Sequence, residues 1–132
     1  MASSLEAIGG VEQKLGIHFP QDYRGFVAEE PVETGRWSST GDCIILNPVD
    51  ELPGINEAAE LATRLPGAVI IGGDGSRELL VYDFRRQPPP LLLVDVSAGS
   101  WADGILQAES LTALLGRFPE QGWIWDQPIV AE

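Results

Sequence analysis

The sequence has few of the residues on which most catalytic and metal sites depend. Its 132 residues include one cysteine, Cys43, and one histidine, His18. A lone cysteine cannot form an internal disulfide, and zinc sites need several cysteine or histidine ligands. Cys43 stands in an apolar run and His18 between apolar neighbours, so we interpret both as structural residues. We expect no catalytic residue, no metal ion, no cofactor and no enzyme activity, although a site made only of carboxylates stays open.

The glycine-rich stretch IIGGDGSRELLVYDF, residues 70–84, lacks the features of a phosphate or calcium loop. A P-loop needs a lysine and a second glycine at fixed positions, and a calcium loop needs oxygen ligands at alternate positions before a glutamate. Asp74 and Gly75 stand instead between two apolar runs. Both residues tolerate the backbone angles of a tight hairpin turn, so we predict that this turn only reverses the chain.

Basic residues are scarce, since 8 Lys and Arg stand against 20 Asp and Glu and give a net charge of -12. Nucleic-acid binding depends on basic side chains that neutralise phosphates, so we expect no direct contact with DNA or RNA. An acidic surface favours basic partners, but acidity also keeps many proteins soluble. The charge alone does not distinguish these two meanings.

Long apolar runs are missing as well. No stretch approaches the roughly 20 apolar residues of a membrane span, and the opening MASSLEAIGG lacks the basic and apolar parts of a signal peptide. We therefore expect a cytoplasmic protein that does not contact membranes. The length is that of one domain with its own hydrophobic core, and we assign residues 1–132 to it, with a tail over 119–132.

Apolar spacing predicts helices at several places along the chain. The expected helices cover residues 5–15, a segment that begins at Pro20, about 56–65, and a segment that begins near Leu111. Asn47 stands before Pro48 as a candidate helix cap, and Glu109 and Ser110 favour the start of the last helix.

Other apolar runs predict an antiparallel meander, which makes the fold class α+β with helices packed against a mostly antiparallel sheet. The expected strands are a short one around Trp37, 43–46, the two arms of the hairpin at Asp74-Gly75, 91–96, and a short edge strand at Ile105-Leu106. The prolines of RRQPPP form an extended connector.

The candidate binding residues are tryptophans and loop carboxylates. We assign Trp101 to core packing or to a lid over the sheet. Tryptophan is also enriched at the energetic centres of protein interfaces, and the remaining candidates stand in polar loops or in the tail, where two tryptophans fall on one side of a possible strand. The predicted partner-binding residues are Glu29, Glu30, Glu33, Trp37, Trp123 and Trp125. Self-association through the tail would give the same pattern.

The stretch VEQKLGIHFPQDYRGFV, residues 11–27, resembles the opening signature of the SUKH superfamily in its Smi/Knr-like branch. That signature is an amphipathic helix, a Leu-Gly pair, an apolar-Pro step, an Asp-Tyr pair and a Phe one turn later. The matching residues are Leu15, Gly16, Phe19, Pro20, Asp22, Tyr23 and Phe26, and the resemblance continues through Ile44–Leu46, Asp50–Leu52, Ile71-Gly72, Tyr82-Asp83, Ala108–Leu111 and Leu114-Leu115.

The resemblance spans about residues 5–118 but has two departures. The chain reads AEEPVETG where family members commonly carry an Asn-Gly step, and the tail with its tryptophans lies beyond the matched part. The resemblance implies an α+β domain with helices on a mostly antiparallel sheet and no catalytic apparatus.

Many bacterial members of the superfamily are cytoplasmic immunity proteins that neutralise a polymorphic or contact-dependent toxin, and eukaryotic relatives are linked to cell-wall regulation. We therefore expect an immunity protein that binds a basic toxin domain such as a nuclease, toward which a charge of -12 would steer it. The alternatives are an interaction or scaffold protein in cell-wall or signalling regulation and, third, a small-molecule binder or enzyme. Neither the toxin nor the oligomeric state follows from the sequence.

Overall fold

Four α-helices and six strands form the part of the chain that the computed structural model describes, residues 4–29 and 34–125. The helices are α1 (Ser4–Leu15), α2 (Gln21–Glu29), α3 (Leu52–Ala59) and α4 (Leu111–Gln121). The strands are β1 (Thr34–Trp37), β2 (Cys43–Leu46), β3 (Ala68–Gly73), β4 (Glu78–Asp83), β5 (Leu91–Asp95) and β6 (Ile105–Ala108). The predicted α+β class is confirmed.

The strands form one antiparallel sheet in which they follow each other in chain order from β1 to β6. The predicted meander is confirmed, and it includes the short strand at Trp37 and the edge strand at Ile105. The turn between β3 and β4 reverses the chain as predicted, because the carboxylate of Asp74 accepts hydrogen bonds from the N–H groups of Ser76 (2.8 Å) and Glu78 (3.1 Å). Because the strands are arranged in chain order, β1 and β6 are the two edges of the sheet.

Helices α1, α2 and α4 cover one face of the sheet, which we call the inner face. Ile8 of α1, Tyr23 of α2 and Phe118 of α4 are almost completely buried there, together with Leu80 and Leu93 of the strands. Ser110 begins α4 as predicted, since its hydroxyl accepts a hydrogen bond from the Ala113 N–H (3.1 Å).

The opposite face, the outer face, is covered only over part of its area. Strand side chains alternate between the two faces, yet every residue of β3 is buried, so this strand is packed on both sides. On the outer face Leu61, Leu65 and Trp101 provide the cover, and the Trp101 indole N–H donates a hydrogen bond to the Pro66 carbonyl (2.9 Å). The prediction that Trp101 packs over the sheet is confirmed.

Helix α3 lies earlier in the chain than the predicted helix at 56–65. It ends at Ala59 because Glu60 adopts a positive φ of 54°, and Asn56 lies inside it. The Asn56 amide exchanges two hydrogen bonds with the backbone of Ile70 on β3 (2.7 and 3.1 Å). Asn47 is not a helix cap, since Pro48 precedes the short helical turn Val49–Glu51 and no side chain caps it. The Asn47 N–H donates instead to the Ile71 carbonyl (3.0 Å) and extends the ladder between β2 and β3. Contacts with β3 thus override the local signals.

Two tyrosines stand at the centre of the inner core. The rings of Tyr23 and Tyr82 meet edge to face with centroids 6.0 Å apart, and their hydroxyls have no hydrogen-bond partner among the described residues. Burial raises the pKa of both phenols above the usual range, and the nearby Asp22 carboxylate adds to the shift of Tyr82. Both tyrosines are therefore neutral packing residues.

Candidate functional site

The structure separates the three tryptophans that the sequence proposes for partner binding. Trp37 is 72% exposed and Trp125 is 49% exposed, whereas Trp123 is only 4% exposed. Among the carboxylates, Glu30 and Glu33 lie outside the described residues, and Glu29 ends α2 with a side chain that is also outside the described part. Trp37 is thus the most exposed of the three tryptophans.

Trp123 is a core residue, which corrects the prediction for the tail. Its ring packs against Phe118 with centroids 5.0 Å apart, its indole N–H donates to the Cys43 carbonyl (3.0 Å), and its backbone N–H donates to the Asp42 carboxylate (2.9 Å). These contacts replace the predicted tail strand, since residues 122–125 are not in the sheet. Trp123 and Trp125 therefore do not share an exposed face, and Trp123 is not available to a partner.

Trp37 lies at the end of edge strand β1, on the outer face of the sheet. It stands opposite Cys43 of β2, and Ile45 follows two residues along on the same face. The neighbouring Arg36 points to the inner face, where its guanidinium carbon lies 5.7 Å from the centre of the Phe26 ring. Trp37, Cys43 and Ile45 form what we call the open patch, because the outer cover formed by Trp101 does not extend to them.

The outward edge of β1 directs backbone N–H and C=O groups away from the sheet. Its register pairs Arg36 with Ile44, and the next hydrogen bond runs from the Ser38 N–H to the Asp42 carbonyl (2.8 Å). Hydrogen-bonded and non-bonded pairs alternate along an antiparallel ladder, so the N–H and C=O groups of Gly35 and Trp37 point away from β2. Within the described ranges the N–H and C=O groups of Trp37 have no hydrogen-bond partner.

A shallow cleft of about 320 Å³ adjoins the open patch at the end of β3. Its wall includes Ile45 and Leu79, and its floor is the backbone of Gly72 and Gly73. Glycine is required at both floor positions, because a Cβ on Gly72 would overlap the Ile45 carbonyl oxygen and a Cβ on Gly73 that of Glu78. The pair of glycines in a strand was the sequence signal for this close approach.

The cleft has acidic surroundings. Partial burial raises the pKa of the Glu78 carboxyl, and the neighbouring carboxylates of Asp95 and Asp74 raise it further. Asp95 itself has a pKa lowered to about 2, first because it accepts hydrogen bonds from Ser97 and then because Arg77 lies 2.9 Å away. Negative charge is therefore crowded at this end of the sheet.

The opposite edge, β6, is closed by side chains. A bulge leaves Gln107 unpaired between Leu92 and Leu91 of β5, and its side chain is buried. The Gln107 amide bonds to both the N–H (2.9 Å) and the carbonyl (2.8 Å) of Ile124, while Arg117 donates to the Gln107 carbonyl (3.0 Å) and the Gly122 carbonyl (2.5 Å). We call residues 122–124 the closing segment.

No local sequence pattern predicts this closure, since the contacts join residues that are 10 and 17 positions apart along the chain. Burial lowers the pKa of the Arg117 guanidinium, which stays protonated and donates all of its described bonds to uncharged oxygens. A β6 edge with its carbonyls already occupied cannot accept another strand. Only β1 offers an accessible edge among the described strands.

No known family model matches the chain, and no curated protein matches it either. The resemblance to the SUKH superfamily therefore stays a prediction from the motif. None of the described helices is long and apolar enough to cross a membrane. In residues 4–29 and 34–125 there is also no group of three or more side chains that could hold a metal ion. The features that stand out are an exposed tryptophan, an open strand edge and acidic charge.

Proposed function

We propose that this chain is a binding protein without catalytic activity that neutralises a basic protein toxin by covering its active surface, as immunity proteins do. One observation carries the proposal: Trp37, 72% exposed, lies on an open strand edge of a protein with a net charge of -12. Large aromatic side chains dominate many interface energies, and opposite charge speeds encounter.

The described charges support an acidic surface rather than a balanced one. Three of the eight basic residues, Arg24, Arg77 and Arg85, form ion pairs within the protein. Their partners include Glu12 and Asp83, which are buried carboxylates. The exposed carboxylates in and beside α3 are Asp50, Glu51, Glu57 and Glu60. A field of this sign attracts a cationic partner and weakens with added salt.

The proposed mechanism combines the acidic surface with the exposed Trp37. Long-range attraction brings the basic partner to the acidic surface, and Trp37 then anchors the complex through a large apolar contact area. A nuclease must present basic side chains to hold phosphates. An acidic protein that is attracted by those side chains would therefore lie over the nuclease's substrate channel. Inhibition then needs no chemistry from the antidote.

The first test is capture of partners by the tagged protein from a lysate of its own source, at low and at high salt. We expect a basic toxin domain to be retained at low salt and weakened at high salt, and the purified protein to abolish the activity of that domain in a one-to-one mixture. Recovery of only envelope or signalling proteins would reject the toxin proposal and favour the scaffold hypothesis.

A charge-reversal pair tests the acidic residues that precede β1 in the sequence. Glu29→Lys with Glu33→Lys should weaken toxin binding without lowering thermal stability. The matched control is Glu109→Lys with Glu120→Lys, which makes the same change in net charge at two exposed positions beside and within α4. Equal loss of affinity in both double variants would show that net charge alone acts, and unchanged affinity in the first would mean that Glu29 and Glu33 are not part of the interface.

A further inference from the structure

We infer that the β1 edge binds an extended, basic segment of a partner as a seventh strand of the sheet. The inference deepens the proposed function and rests on it for the identity of the natural partner. It goes further in naming the surface, the conformation and the charge of the segment that binds. The contacts are backbone hydrogen bonds to Gly35 and Trp37, beside the open patch.

The backbone geometry provides the hydrogen-bonding sites. Gly35 and Trp37 each direct one N–H and one C=O away from β2, so β1 presents two donors and two acceptors at strand spacing. Strand addition uses such a row for affinity and uses pockets for alternate side chains for specificity. At β6 the corresponding carbonyls of Ile105 and Gln107 already accept bonds from the side chains of Gln107 and Arg117.

The side chains beside this edge differ on the two faces. On the outer face Trp37 would lie against the apolar residues of an added strand, with Cys43 behind it. On the inner face Arg36 is turned onto Phe26. Apolar side chains of an added strand would therefore be buried on the outer face. The alternate side chains, and those at the ends of the strand, would be the charged ones, and the alternate side chains would point to the inner face.

Charge decides between a foreign segment and a second copy of this chain. Two copies would each bring a charge of -12 to the same edge, and like charges oppose association. Three carboxylates, Glu29, Glu30 and Glu33, precede Thr34 by five residues or fewer. Basic residues in the incoming segment would be attracted by this stretch, whereas acidic ones would be repelled.

The experiment uses the intact protein and two synthetic peptides matched to β1 in length, one of alternating Lys and Val and one of alternating Glu and Val. Amide exchange is followed residue by residue by NMR. We expect the Lys-Val peptide to slow exchange at Gly35 and Trp37 by roughly tenfold or more, and to slow alkylation of the lone Cys43. The Glu-Val peptide should change neither.

Variants isolate the backbone donor. Gly35→Pro removes the outward N–H and leaves the β2 ladder intact, whereas Gly35→Ala keeps the donor. Gly35→Pro should weaken Lys-Val binding roughly tenfold, and Gly35→Ala should bind like the natural protein. Trp37→Ala provides a second variant that leaves the strand backbone unchanged.

Each outcome bears on the inference. Binding of the Lys-Val peptide without protection at Gly35 and Trp37 would place it elsewhere and overturn the inference, and so would binding of neither peptide. Protection that grows with protein concentration alone would identify a second copy as the occupant. A captured toxin that Gly35→Pro and Trp37→Ala still retain would reject the edge and leave the proposed function standing, while failure to capture any toxin rejects only the function.

Discussion

The two edges of the sheet are built in opposite ways. At β6, a bulge, a buried Gln107 and the Arg117 guanidinium occupy the outward carbonyls and tie the closing segment to the strand. At β1, the groups of Gly35 and Trp37 point outward, and those of Trp37 have no partner among the described residues. Proteins usually block open edges because these recruit other strands. The open edge at β1, opposite the closed edge at β6, is a feature that a binding function can explain.

The two tryptophans beside these edges show the same contrast. Trp123 donates two hydrogen bonds and packs on Phe118, whereas Trp37 is mostly exposed. One tryptophan therefore contributes to the free energy of unfolding, and the other is available for binding.

The largest effect is expected from Trp123→Ala. Removal of this buried ring should lower the free energy of unfolding by about 4 kcal/mol, since it leaves a cavity and removes the indole donor from the Cys43 carbonyl. Urea denaturation followed by circular dichroism measures the loss. A loss below about 1 kcal/mol would mean that the closing segment is not part of the core.

Gly122→Ala should cost about 3 kcal/mol, because Gly122 combines φ 65° with ψ -150°, a conformation that essentially only glycine adopts. A Cβ there would also collide with the side chains of Asp42 and Thr40. Gly116→Ala in α4 is the control, since no atom lies within 4 Å of its added Cβ, and it should be neutral or stabilising. Similar melting temperatures for the two variants would contradict this account.

Arg117→Met should cost about 2 kcal/mol, because it removes charge-assisted hydrogen bonds and leaves the carbonyls of Gln107 and Gly122 without a donor. The matched variant at the other edge is Arg36→Met, which loses only the contact with Phe26 and should cost about 0.5 kcal/mol. Equal denaturation midpoints for Arg117→Met and Arg36→Met would contradict the distinction between a closed β6 edge and an open β1 edge.

Trp37→Ala should change the free energy of unfolding by no more than about 0.5 kcal/mol, as expected for an exposed side chain. Its thermal melting curve should therefore overlay that of the natural protein even where binding to a basic partner is lost. A loss of stability as large as that of Trp123→Ala would show that Trp37 is a structural residue.

The sequence predicted the sheet and both of its edge strands, but not the side-chain contacts that close the β6 edge. The runs that became β2, β3, β4 and β5 are apolar, and their burial follows from composition and turn chemistry. The closure of β6 depends on Arg117 meeting Gln107 and Trp123 meeting Asp42, which are separated by 10 and 81 residues. No local pattern specifies such pairs, and the alternation of Trp123 and Trp125 wrongly predicted a strand.

The candidate site was predicted in part. Trp37 was recognisable as an aromatic residue in a polar segment, but Cys43 and Ile45 became its neighbours only through the register of β1 on β2. The outward direction of the Gly35 backbone groups depends on which residues of that ladder are hydrogen-bonded, which a sequence does not reveal. Glu30 and Glu33 lie outside the described residues and stay predictions.

The two buried phenols give the protein an optical reporter of its own unfolding. The chain has only two tyrosines, and the pKa of each is raised in the folded state, so above pH 10 the unfolded chain ionises first and the native state loses stability as pH rises. Absorbance of tyrosinate should therefore stay low while the native state persists and rise in step with global unfolding. After a jump to alkaline pH, the rate at which tyrosinate absorbance appears would measure the rate of global unfolding directly, without a dye or a label.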